Sequence, residues 1–182
     1  MYMIPIMSVE LFPLFDGGRT RSLGKDKTLF HTGEPVRSMF LVLQGEVDLI
    51  RHTPSGLRVL LFRASTGSVL AEASAYSDVY HCDGVAVGPA QVRFVSVASF
   101  RTRLDASAGL ASAWAARLAH GLQGARMNAA IRTMRTVDER LDAWLAGGKA
   151  LPPKGQWQTL ADALGVTREA LYRELSKRRP VG

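Results

Sequence analysis

Apolar positions along this chain change period as it runs from its first half to its second. From Thr28 to Val97 short apolar runs are broken by glycine. Phe40-Leu41-Val42-Leu43 leads into Gln44-Gly45, Val47-Asp48-Leu49-Ile50 alternates next, Thr53-Pro54-Ser55-Gly56 turns, and Val59-Leu60-Leu61-Phe62 follows. Short runs of this kind between tight-turn residues predict strands wound into a β-roll meander. Ala90 to Val97 reads as a last strand, and the helical period takes over near Ser99.

Between Leu110 and Met134 there is no proline and much alanine, while Leu110, Trp114, Leu118, Leu122 and Ala125 recur at three- or four-residue spacing. This predicts one long helix with an apolar stripe. Such a stripe could pack on its own domain, but a helix of about 25 residues projects beyond one small roll, so pairing with its counterpart in a homodimer is the favoured expectation. Thr136-Val137-Asp138-Glu139 has the form of a capping box and opens a further helix through Leu145, which Gly147-Gly148 ends. Leu151-Pro152-Pro153-Lys154-Gly155 is then a loop. The expected organisation is α+β: a roll over residues 1–108, a dimerisation helix over 109–134 and a helical C-terminal domain over 135–182.

That last domain carries the most specific pattern, QTLADALGVTREALYRELSK from Gln158 to Lys177. Leu160 and Leu164 stand four apart, Gly165 breaks the first helix, Val166 plugs the turn and Thr167 caps a second helix carrying Leu171 and Leu175. Two short helices sharing a small core form a helix-turn-helix. The second would show Arg168, Glu169, Tyr172 and Arg173 on its other face, residue types that read base edges in a major groove. Net charge supports this only weakly. Residues 132–182 carry an excess of +4 and residues 1–131 one of +3, and the basic tail Lys177-Arg178-Arg179 is placed to meet phosphates.

Cys82 is the only cysteine, which excludes an intramolecular disulfide and any cluster needing several cysteines of one chain. The opening MYMIPIMSVELF lacks a basic n-region, and no apolar run approaches the ~18 residues of a membrane span. A cytoplasmic protein without membrane contact is expected.

Roll, long helix and C-terminal helix-turn-helix, in that order, resemble the transcription regulators of the catabolite activator/fumarate-nitrate regulator (Crp/Fnr) superfamily. Gly33 in HTGEP, Gly45 in VLQGEV, Gly56 in the hairpin and Gly67 in TGSVLAEAS fall where that family's roll places its turn glycines. The resemblance covers about Leu29 to Lys177. It implies a homodimer bound to double-stranded DNA through twin reading helices, with an effector in the roll and RNA polymerase as a candidate partner. Thr167-Arg168-Glu169 followed by Arg173 matches the family's reading pattern. An arginine fork spans O6 and N7 of guanine and a glutamate accepts from the cytosine amino group, so Arg168, Glu169 and Arg173 suit G·C pairs. Thr167 and Lys177 would meet phosphate, while Tyr172 is open between phosphate contact and surface packing.

The effector pocket departs from the family. Cyclic-nucleotide members carry Gly-Glu-Leu followed about ten residues on by Arg and then Ser or Thr. Here Glu72 is kept, but Cys82 stands at the Arg position and Asp83 at the Ser position. A lost guanidinium and an added carboxylate repel a phosphate, so cyclic AMP is not expected to bind. The long helix also has Ala125-Arg126 where the cyclic-AMP activator has a base-contacting Thr-Ser pair. Glu72, His81, Cys82 and Asp83 leave several readings open: a vestigial pocket, a zinc, nickel or copper shell completed by His31 or His120, a redox-sensing thiol, or an unrelated small molecule. On an extended strand His81 and Asp83 would share one face and Cys82 the other. Acidic neighbours would push the Cys82 pKa up, against redox sensing.

Other classes fit less well. A metal-dependent jelly-roll enzyme would bring histidines together, whereas His31, His52 and His81 are scattered without an HxH pair. A dimeric interaction module that has lost DNA binding is the stronger rival. The family usually continues into a β-hairpin wing, whereas here Pro180 would stop the helix and no strand is expected after it, so either the wing is absent or its phosphate contacts come from the basic tail.

Overall fold

The structure, a computed structural model, describes residues 9–148, 150–153, 155 and 157–178. The opening residues 1–8, Lys154 and the tail from Arg179 onward, all of which entered the sequence reading, lie outside these. The described residues fall into two compact units that meet within the long helix, the first ending at Leu118 and the second starting at Ala119.

The first unit begins with a 3-10 segment, Val9–Phe15, and continues into β1 (Arg19–Leu23), β2 (Thr28–Phe30), β3 (Ser38–Gln44), β4 (Glu46–His52), β5 (Arg58–Ser65), β6 (Val69–Leu70), β7 (Asp83–Ala86) and β8 (Ala90–Ser96). These form two antiparallel sheets of order β1-β8-β3-β6 and β2-β7-β4-β5. The expected roll is therefore present, with four strands per sheet. The apolar run of β3 is explained by burial on both faces. Phe40 and Val42 point between the sheets with Leu23, Phe30, Val47, Leu49, Tyr80 and Val92. Met39 and Leu41 point outward into a second core with Leu14, Phe15, Val69, Val95 and Phe100. Gly45, at φ 79°, links β3 to β4, and a Cβ there would lie 2.4 Å from the Pro89 carbonyl oxygen. Only glycine fits that turn.

Ser96 caps α1 (Val97–Asp105), its Oγ accepting from the Ser99 amide at 3.1 Å. The long helix α2 runs Ala108–Thr133. Its apolar stripe divides into segments with different surroundings. Leu110, Trp114 and Leu118 pack onto the outer core of the roll, where Trp114 meets Phe100 edge-on at 5.1 Å. Leu122 and Met127 are each 51% exposed.

In the second unit, α3 (Val137–Ala146), α4 (Trp157–Leu164) and α5 (Arg168–Lys177) enclose Leu141, Leu160, Ala161, Leu164, Leu171 and Leu175, together with Ile131 from the end of α2. The capping box is formed: Thr136 Oγ1 accepts from the Glu139 amide at 3.1 Å and Glu139 Oε2 from the Thr136 amide at 3.0 Å. Gly165, at φ 65°, turns the chain from α4 toward α5. Arg140 donates to the Leu164 and Gly165 carbonyls at 3.1 and 2.9 Å, placing a cation at the C-terminal end of α4. Among the described residues no helix is long and apolar enough to cross a membrane.

Candidate functional site

Thr167 Oγ1 accepts from the Ala170 amide at 3.2 Å and fixes the start of α5. With Leu171 and Leu175 turned into the core, Arg168, Glu169 and Arg173 are exposed on the other side, as the spacing requires. Tyr172 is half-buried. Its ring meets Trp157 edge-on at 4.7 Å, and Trp157 is itself anchored by donating from Nε1 to the Pro152 carbonyl at 2.9 Å. Arg168 donates to the Tyr172 hydroxyl at 3.2 Å and lies 5.2 Å from the ring centre. In this structure Tyr172 therefore packs, one of the two readings its sequence position left open, and it also holds Arg168, which the sequence did not disclose.

Beside α5 is a cleft of about 500 Å³ lined by Thr136, Val137 and Asp138 at the start of α3 and by Ala170, Arg173, Glu174 and Lys177 of α5. Lys177 is 74% exposed along its side chain, 3.6 Å from Glu174. Arg178, read from the sequence as part of a phosphate-facing tail, is instead committed internally. It donates to Asp142 at 2.5 Å, to Glu174 at 3.0 Å and to the Asp138 carboxylate. Glu174 is buried, so this bond satisfies a carboxylate that water scarcely reaches.

The four roll-pocket residues do not converge. Glu72 stands 3.9 Å from Arg117 of α2, a guanidinium whose approach the sequence did not signal. His81 is exposed, with Nδ1 3.4 Å from Ser74 Oγ. Cys82 is wholly buried in the inter-sheet core, where burial, then Asp83 and Glu72, push its thiol up to about 11. It is protonated and inaccessible at neutral pH, which removes the basis for redox sensing. Asp83 turns away from His81: it accepts from the Thr32 amide at 2.7 Å and lies 3.8 Å from His31 and 3.4 Å from His52. Burial alone would raise the Asp83 pKa, but the Thr32 bonds and the two imidazoles outweigh it and hold the carboxyl below its usual range. His31 thus reaches Asp83, as the metal reading required, but His81 and Cys82 do not join them. Among the described residues no group of three or more His, Cys, Asp and Glu side chains could hold a metal ion.

The comparisons agree with this architecture. The family model for the cyclic nucleotide-binding domain matches residues 20–107. No curated protein matches the chain. Among solved structures, FixK2 from Bradyrhizobium japonicum is similar at 22% identity and TM-score 0.69, over 88% of this chain and 83% of that one. The c-di-GMP responsive global regulator CLP from Xanthomonas campestris is similar at 20% identity and TM-score 0.65, over 93% and 89%. A transcriptional regulator of the CRP family from Thermus thermophilus, TTHB099, is similar at 17% identity and TM-score 0.59, over 86% and 83%. The resemblance read from the turn glycines and the element order is borne out at the level of the fold: residues 20–107 match the cyclic nucleotide-binding domain model, and the chain has the fold of these solved regulators.

Proposed function

We propose that this chain is a dimeric, sequence-specific double-stranded DNA-binding transcription regulator, controlled through its roll by an effector other than cyclic AMP. The observation that carries the reading is the face of α5, where Arg168, Glu169 and Arg173 are exposed opposite Leu171 and Leu175. Guanidinium forks and a carboxylate on one open helix face supply the donors and acceptor that distinguish G·C pairs from the major groove. Thr167 at the helix start and Lys177 at its end flank that face as phosphate contacts.

The exposed part of α2 supports pairing of two copies. Leu122 would cease to meet water if a second α2 lay alongside, and two reading helices would then address two half-sites. RNA polymerase is the partner such a regulator would address at a promoter. Cyclic AMP is disfavoured because Cys82 offers no charge partner to a phosphate and Asp83 beside it is held ionised. Selection of bound sequences from a random duplex pool, followed by gel shift at fixed salt, tests the proposal. Recovery of an inverted repeat supports it, and a pool that stays random overturns it.

A further inference from the structure

The open edge of the roll, between β1 of one sheet and β2 of the other, contains a second feature of chemical interest. A cleft of about 200 Å³ is lined by Arg21, Glu34 and Arg37 and by the rings of Phe30, Phe40, Tyr80 and Phe94. None of Glu72, His81, Cys82 and Asp83 takes part in it. Its floor is aromatic: Phe30 stacks on Tyr80 at 4.2 Å and on Phe40 at 5.5 Å, and Phe94 tilts against Phe40 at 6.1 Å. The Tyr80 hydroxyl is spent, donating to the Ser38 carbonyl at 2.6 Å, so Tyr80 presents its ring.

The rim is charged. Arg21 pairs across the strands with Val92, a residue of the inter-sheet core, which places its side chain on the inward row of β1. Arg37 stands just before β3. Among the described residues neither guanidinium has a hydrogen-bond or ion-pair partner, and both are exposed. Glu34, the one carboxylate at the rim, accepts from the His31 amide at 3.0 Å. The rim therefore carries two unengaged forks against one engaged carboxylate, above a floor of ring edges and faces.

We infer that this cleft binds a small aromatic carboxylate. The acid group sits between Arg21 and Arg37, where planar guanidinium forks match its two oxygens. The ring lies against Phe94 and the Phe30, Phe40 and Tyr80 stack in the offset or edge-on arrangements that aromatic pairs favour. The size sets the limit. Drug-sized ligands occupy roughly 300–1,000 Å³, so a cleft below that range admits a single ring with a short acid arm.

Calorimetric titration of the full chain with phenylacetate, phenylacetamide and phenylalanine tests the inference without reference to DNA, so its failure leaves the DNA-reading proposal standing. Phenylacetate should bind saturably, and phenylacetamide, isosteric but uncharged, about tenfold or more weakly. Arg21→Gln and Arg37→Gln, checked for an unchanged thermal midpoint without ligand, should each lose affinity by a similar factor. Phenylalanine separates two forms of the same chemistry. Tighter binding that Glu34→Gln abolishes assigns an aromatic amino acid, and weaker binding assigns a plain acid. No saturation by phenylacetate at tens of millimolar, equal affinity for the amide, or unchanged affinity in both arginine variants overturns the inference.

Discussion

Arg178 donates to Asp142 at 2.5 Å, tying the end of α5 to the middle of α3. The same guanidinium reaches Glu174 and Asp138, so one side chain joins three carboxylates on two helices. A single exposed ion pair is worth little, but a shared, partly buried fork holds a geometry. Arg178→Ala should lower the thermal midpoint by about 2–4 °C. It should weaken specific DNA binding more than random-duplex binding, because it loosens the helix proposed to carry the reading residues. Equal losses on both duplexes would return Arg178 to the phosphate-facing role read from the sequence.

Asp48 provides an acid-sensitive clasp in the roll. Burial alone would raise its pKa, but bonds from Arg63 at 2.7 Å and Arg58 at 2.8 Å outweigh burial and hold it below the usual carboxylate range. A depressed folded pKa contributes stability that is present above the unfolded value of 3.8 and is lost as pH falls through the folded value. The stability of the wild type against urea should therefore fall below pH 4. Asp48→Asn should be destabilised by about 2 kcal/mol at pH 7 and should show a flatter acid limb. Parallel acid limbs in the two proteins would remove Asp48 from the account.

The sequence disclosed some of this and concealed the rest for physical reasons. β3 and β4 were readable because their apolar runs meet cores through side-chain alternation. β1 was not: Arg19, Thr20, Arg21 and Ser22 are exposed, and the strand exists through its ladder with β8. Helix α5 was legible because turn, cap and core leucines fall within a few residues of each other. Arg178 was not, because Asp142 and Asp138 lie 36 and 40 residues away and no local pattern announces such pairs. The pocket residues were found by alignment with a family motif. Their separate partners, Arg117 of α2 for Glu72 and His52 of β4 for Asp83, come from elements distant in the sequence.

Pairing along α2 has its own test. Leu122 is exposed at the centre of the helix, whereas Trp114 is buried against the roll. Leu122→Glu should therefore yield monomers in sedimentation without loss of thermal stability per chain, since no packing within the chain is removed. Trp114→Ala should lower stability by about 3–5 kcal/mol. A wild type that is monomeric at micromolar concentration defeats the pairing.

Tyr172 links packing to the proposed recognition by Arg168. Because it holds Arg168 at 3.2 Å and rests on Trp157, Tyr172→Phe keeps the ring platform and removes only the hydroxyl. The Phe variant should retain near-native stability with reduced discrimination at the base that Arg168 addresses. Tyr172→Ala should lose both. Unchanged base preference in both variants, measured on a set of single-base operator substitutions, would leave Tyr172 as packing alone.

The sharpest division lies between Arg173 and Lys177 on the same helix. Arg173 is exposed beside the cleft that reaches the start of α3, and Lys177 lies one turn further along, largely exposed and 3.6 Å from Glu174. If Arg173 faces a base, Arg173→Ala should cost about 1–3 kcal/mol on the selected operator and far less on random DNA. Lys177→Gln should weaken both duplexes nearly alike and reduce the slope of log affinity against log salt, since it removes one phosphate contact. Arg179, read as a phosphate contact of the same kind, lies outside the described residues. Two copies should also read half-sites about one turn, roughly 34 Å, apart. Binding of both variants to both duplexes across a salt series decides the matter, and matching losses for Arg173→Ala on operator and random DNA would reduce the whole face to charge attraction.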